Sequence, residues 1–263
     1  MPTAVQKLER ASRLRDYFDL QLRFAATLAE RGGRPLADCV TLFTNLHRRF
    51  GLGMLPGPVE RGAGAATAPL WHEYLAGLGQ RPGHDARLAW TVAVFLRAPD
   101  ERPPPGQHRF GCFAYDEPGP EGIVRIHFAN LDDDGVSPLA TAKAARRRAE
   151  LGAMFAAVAR AFPEAHTVKG GSWLYHLDAY RRLFPPAYTA SRQEPEAPLH
   201  FHGSSSWGQF IDHLERVRPE PRAVFLRNLA ALDPARPGRA FPLPALRVSA
   251  ALDVFVGFYC DTA

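Results

Sequence analysis

Cysteine is scarce in this 263-residue chain: Cys39, Cys112 and Cys260 stand far apart, and none forms a Cys-x-x-Cys pair. That excludes a disulfide framework and a zinc-finger spacing, and a reducing cytoplasm is the expected compartment. No uninterrupted apolar run approaches the roughly 20 residues that a membrane helix needs. Residues 1–9 carry charge and no apolar stretch of the kind a signal peptide has. A P-loop, a Rossmann glycine pattern and a Gly-x-Ser-x-Gly elbow are all missing, which removes the commonest nucleotide-binding and serine-hydrolase signatures. Lysine is scarce as well. Lys7, Lys143 and Lys169 are the lysines, so the net charge of +5 rests on arginine. Arginine, alanine, proline and glycine are abundant together, which reads as coding bias rather than a nucleic-acid surface. The partner expected is a small molecule, with neither nucleic acid nor membrane.

What is present is a globular composition, 46% hydrophobic and 22% charged, which excludes a disordered chain. Val5, Leu8, Ala11, Leu14, Phe18, Leu22, Ala25 and Ala29 recur at helical spacing and predict an amphipathic helix stopped by Gly32-Gly33. Residues 36–50 repeat the pattern, residues 51–69 read as a loop, and Trp71 to Leu78 as a short helix. From Trp90 the period reads as β: strands at Trp90–Leu96, Phe110–Tyr115 and Ile123–Phe128, joined by short turns into a meander. Ser137-Pro138 reads as the cap of a long helix that runs to about Phe162 with Leu151, Phe155 and Val158 buried. Thr167 to Leu174 is a further strand, and Leu177 to Phe184 a short helix. Tyr188–Ser191 and Leu199–His202 read as strand-like, and one or two helices follow in 205–232. The fold class is α+β, a mostly antiparallel sheet flanked by helices. Residues 1–84 form a helical N-terminal extension packed on a core of residues 85–263.

The element order from residue 88, with Val168-Lys-Gly-Gly-Ser-Trp-Leu-Tyr175 followed by Leu183-Phe-Pro-Pro-Ala-Tyr188, resembles the central part of the GNAT-like (acyl-CoA N-acyltransferase-like) fold. The Ser-Trp-Leu segment is similar to the signature of a bacterial acyltransferase-domain family. The likeness covers about residues 88–205. It implies an acyl thioester such as acyl-CoA as cofactor and transfer of the acyl group to an amine or another small nucleophile. It also implies a phosphate-binding turn ahead of the long helix, where free N–H groups and the helix dipole favour an anion. That turn is Leu131-Asp-Asp-Asp-Gly-Val-Ser-Pro138 here, with three aspartates where the family has its glycine pattern. Gly135 and Ser137 are the candidate cofactor contacts in it, and Gly170 and Gly171 are those on the strand, since two glycines in a strand permit close approach.

Ser172 and Tyr175 are the candidate proton donors to a leaving thiolate, with His127 and His202 as further candidate catalytic groups. His200-Phe-His202 also has the i, i+2 spacing of a metal pair, which a further ligand such as His127, His166 or Asp132 would have to join, and no metal is expected. The three Asp residues read first as a solvated turn ending in a helix cap, with a divalent-cation site as the alternative. Arg146-Arg147-Arg148 reads as a solvated helix face or an anion site. An acyltransferase, a non-catalytic binding or scaffold protein that kept the fold, and a metal-dependent enzyme using His200 and His202 all remain open at this point.

Overall fold

The computed structural model describes residues 3–53, 68–101, 106–195, 201 and 203–260. His200 and His202 lie outside the described residues. The chain divides into two compact units, Met1–Pro104 with His200–Pro242, and Pro105–Leu199 with Leu243–Ala263. The cut expected between residues 84 and 85 falls inside the first unit, at the start of a helix.

The first unit is helical. Helix α1 spans Ala4–Gly32, opened by a capping box in which the Thr3 hydroxyl accepts from the Gln6 N–H and the Gln6 side chain accepts from the Thr3 N–H. Gly33 ends it in the left-handed conformation. Helices α2 (Leu36–Phe43) and α3 (Leu46–Arg49) follow, separated at Thr44-Asn45, and then α4 (Pro69–Gly79) and α5 (His84–Arg97). The segment Trp90–Leu96 lies within α5 and is not a strand. A mostly apolar run of seven residues cannot by itself be told from a buried helix. The buried positions Leu88, Thr91, Val94 and Phe95 have the three-to-four spacing of a helix face, while Trp90, Val92 and Leu96 are only partly covered. Helices α9 (Ser204–Trp207) and α10 (Pro219–Leu229) complete the unit. Its core is aromatic: Phe24 meets Trp207, Phe225 and Phe241 with ring centroids 5.4–5.7 Å apart.

The second unit is a five-stranded mixed sheet with helices. In chain order it holds β1 (Gln107–Phe110), β2 (Phe113–Asp116), β3 (Ile123–Phe128), α6 (Ala144–Ala161), β4 (Thr167–Ser172), α7 (Asp178–Arg181), α8 (Pro186–Ala190), β5 (Leu246–Ala251) and α11 (Leu252–Cys260). The strands stand in the order of their numbers, all neighbours antiparallel except β3 and β4. The unit is therefore α+β with a mostly antiparallel sheet. Phe110–Tyr115 is a hairpin rather than one strand: Gly111 adopts φ +57°, the left-handed value used in two-residue turns, and Phe110 pairs with Phe113. Tyr188 sits in α8 and not in a strand, because Pro186 occupies the first turn of that helix. Leu151, Met154, Phe155 and Val158 of α6 are fully buried, and Phe155 packs 4.4 Å from Phe255 of α11. Among the described residues no helix is long and apolar enough to cross a membrane.

Candidate functional site

Beta strands β3 and β4 run parallel, and their ladder covers Ile123–Arg125 and Thr167–Lys169 alone. Beyond it β3 continues with β2 to Phe128, and β4 continues with β5 to Ser172. The carboxyl halves of the two central strands thus have no ladder between them. Open α/β sheets bind ligands at such carboxyl ends, and the candidate residues Gly170, Gly171 and Ser172 lie in the half of β4 beyond the ladder, with Tyr175 just after it.

On the helix-covered face of the sheet, a chain of rings bridges the split. Phe128 of β3 lies 5.5 Å from Tyr180, which lies 5.2 Å from Tyr175, which lies 5.9 Å from Tyr188. The Tyr175 and Tyr188 hydroxyls share a hydrogen bond of 2.9 Å. A β-carbon on Gly170 would collide with both of them, so the glycine's bare α-carbon is what lets these hydroxyls sit against the strand. Tyr175 is 1% exposed. Burial, reinforced by the neighbouring Tyr188, pushes its hydroxyl well above its ordinary pKa, so it is neutral at any physiological pH.

The other expected site residues scatter around this cluster. The half-buried Ser172 ends β4, and its Oγ accepts from the Leu174 N–H at 3.1 Å, capping the 3₁₀ turn Trp173–His176. Gly171 pairs with Arg247 across β4 and β5. His127 is exposed and belongs to the opposite face of the sheet from the buried Val124 and Ile126. Its Nε2 lies 2.7 Å from the Asp116 carboxylate. The structure does not bring His127 to Tyr175.

The acidic turn is exposed along most of its length, as the solvated reading has it, and Lys143 sits between two of its carboxylates. The Lys143 ammonium donates to Asp132 at 2.7 Å, to Asp134 at 2.7 Å and to the Val136 carbonyl at 3.0 Å. Arg147, fully buried, donates to Asp132 at 2.6 Å and to Glu150 at 2.6 Å. Asp132 has a side chain only 3% exposed. Its carboxyl is held down at about 2, first by the Lys143 hydrogen bond and then by Arg147, against the upward push of burial. Glu150 also accepts from the Cys112 N–H at 3.1 Å, and Gly111 lies so close to its carboxyl that a side chain there would collide. Burial pushes the Cys112 thiol up, so it is no activated nucleophile.

Gly135, at φ +69°, and the exposed Ser137 lie well ahead of α6. Ser137 is not the cap of that helix: its Oγ accepts from Leu139, and a 3₁₀ turn Thr141–Lys143 intervenes before Ala144. Among the described residues no group of three His, Cys, Asp or Glu side chains could hold a metal ion.

Sequence reasoning passed over a polar seam in the helical unit. Asn45 donates from its backbone to Gln21 at 2.8 Å and from its side chain to the Tyr17 hydroxyl at 2.8 Å, all three residues being fully buried. Arg49 lies over the Tyr17 ring and bridges Glu101 and Glu215. Tyr17, Gln21 and Arg49 looked like ordinary positions of amphipathic helices, and nothing local marks them. Comparison with protein-family models, with curated proteins and with solved structures gives no match.

Proposed function

We propose that this is a non-catalytic binding protein whose second unit keeps a GNAT-like sheet without its thioester chemistry. One observation carries the reading: the split between β3 and β4, where a GNAT-like fold would admit an acyl thioester, is filled by the chain's own Tyr175, Tyr180 and Tyr188. The residues present do not fit coenzyme A. The turn ahead of α6 offers carboxylates already bound to Lys143 and Arg147 rather than free N–H donors, and Ser137 does not open the helix. A pyrophosphate brought there would meet Asp132 and Asp134 and would have to displace their own cations. Tyr175 is a neutral hydroxyl of the kind a general acid needs, but it is spent on Tyr188 and shut from solvent.

The test is incubation with acetyl-CoA and octanoyl-CoA in the presence of simple amines, following thiol release, together with thermal unfolding in free coenzyme A. The expected result is no release above buffer and no rise in unfolding temperature, since a ligand of the native state stabilises it. Acyl transfer is the second reading, and the short parallel ladder between β3 and β4 favours it. Turnover that Tyr175→Phe abolishes without loss of fold would restore it and sink the first.

A further inference from the structure

Arg146, Arg147 and Arg148 have three different fates. Arg146 and Arg147 face Asp132 and Glu150, whereas Arg148 turns away from that network. It lines a cleft of about 350 Å³ with Arg181, Arg182, Phe184, Pro186 and Phe258. This volume lies at the small end of the roughly 300–1,000 Å³ typical of small-molecule sites.

Three guanidiniums share the cleft, and among the described residues no carboxylate lines it. Arg181 is tied down: it donates to the carbonyls of Tyr175 and His176 and pairs with Asp178. Arg148 donates to the Arg182 carbonyl at 2.8 Å, and Arg182 donates to the Leu139 carbonyl and the Thr141 hydroxyl at 3.3–3.4 Å. Neither Arg148 nor Arg182 makes an ion pair among the described residues, and both are exposed. Arg181 and Arg182 stand at the C-terminal end of α7, where cations complement the last carbonyls. That accounts for those two, but Arg148 arrives from α6 and makes the grouping. Each guanidinium uses part of its fork of five N–H donors on the protein and keeps the rest.

Phe184, Pro186 and Phe258 supply an apolar wall, Phe184 itself almost fully buried, and the Thr189 hydroxyl donates to the Pro186 carbonyl. A compact anion such as phosphate would satisfy the arginines and leave this wall unused. A neutral apolar molecule would cover the wall and leave the arginines without a counter-charge. A carboxylate on an apolar body meets both, because a guanidinium fork matches the two carboxylate oxygens.

We infer that the Arg148–Arg181–Arg182 cleft binds a small amphipathic carboxylate, its head on Arg148 and Arg182 and its apolar body against Phe184, Pro186 and Phe258. This rests on the binding-protein reading and names its ligand class.

The full chain is titrated calorimetrically at neutral pH with octanoate, acetate, inorganic phosphate and 1-octanol, and separately with coenzyme A. Octanoate is expected to bind saturably, with acetate, phosphate and octanol each at least tenfold weaker. Arg148→Gln and Arg182→Gln should each weaken octanoate about tenfold or more, the loss expected for one charged hydrogen-bonding partner. Arg182→Lys keeps the charge without the fork and should fall between wild type and Arg182→Gln, a graded loss that misfolding would not give. Circular dichroism checks that each variant is folded. No saturable octanoate binding, binding unchanged in the folded glutamine variants, or phosphate binding as tightly as octanoate would each overturn the assignment. Coenzyme A binding that Tyr175→Phe removes would instead overturn the binding-protein reading, so the two failures are distinct.

Discussion

The hydroxyl of Tyr175 lies 2.9 Å from that of Tyr188, and the bare α-carbon of Gly170 lies against both. Two polar groups in a fully buried setting satisfy each other there, at a point where the central strands have lost their ladder. The split is thus closed by packing and one hydrogen bond.

Gly170→Ala should therefore destabilise the fold by overpacking, roughly 1–3 kcal/mol. The new methyl meets the ends of two rigid, buried side chains. In a Tyr175→Phe/Tyr188→Phe background, whose own lost hydrogen bond costs about 1 kcal/mol, the penalty of the alanine should fall by at least half. Urea unfolding of the four proteins measures the coupling. An alanine tolerated equally in both backgrounds would mean that the hydroxyls do not hold the strand.

Ser172 and Trp173 separate packing from chemistry in the same segment. Ser172→Ala removes one cap on a short 3₁₀ turn and should cost about 1 kcal/mol. Trp173→Ala deletes a side chain of a residue only 8% exposed and should cost about 3–5 kcal/mol. Equilibrium unfolding gives both numbers. A near-equal loss for the two variants would contradict the packing role assigned to Trp173.

Elements with a long, regular pattern were legible in the sequence. The stripe of α1 from Ala11 to Ala25, the strand at Ile123–Phe128 and the Leu151–Phe155–Val158 face of α6 follow from spacing alone, whereas Val5 and Leu8, read as the start of that stripe, are exposed. Trp90–Leu96 differs from its sequence reading because six apolar residues around Thr91 fit either period, and the deciding residue, Leu88, lies just outside the run. The site was less legible. Asp132 sits in a row of three aspartates, and nothing local reveals that its partners are eleven and fifteen residues on, at Lys143 and Arg147. The glycine pair of β4 correctly signalled a close approach, but sequence cannot say that the group approaching Gly170 is a tyrosine of the same chain rather than a ligand. Arg148 was seen only as part of a charged run, since its separation from Arg147 depends on how α6 is turned against the sheet.

Arg147→Ala should be among the most damaging single changes in the second unit. It removes the buried guanidinium that Asp132 and Glu150 share and leaves them to Lys143 and Arg146, and hydrogen bonds to charged groups are typically worth about 1.5–3 kcal/mol each. Adding Asp132→Asn and Glu150→Gln removes the charge that Lys143 and Arg146 then balance only in part and should recover part of the loss. Thermal and urea unfolding of the single and triple variants tests this. A triple variant no more stable than Arg147→Ala would show that the damage comes from lost packing of the arginine stem and not from unpaired charge.

Asp132 should also make stability depend on pH in the acid range. Its carboxyl titrates at about 2 in the folded protein, below the ordinary 3.8, because Lys143 and Arg147 hold the charged form. A depressed folded pKa adds stability that is fully present above the unfolded value and is lost as pH falls through the folded one. The window therefore runs from about pH 4 down to about 2. Other carboxylates, Asp19, Asp116 and Glu215, are lowered as well, so the whole protein loses stability on acidification for several reasons. The comparison with Asp132→Asn isolates one of them. Urea unfolding of wild type and variant between pH 6 and 2 should show a constant gap down to about pH 4 that then narrows, as the wild-type carboxyl takes up its proton and comes to resemble the neutral amide. A gap that stays flat to pH 2, or widens, would mean that Asp132 is not held in its charged form by Lys143 and Arg147.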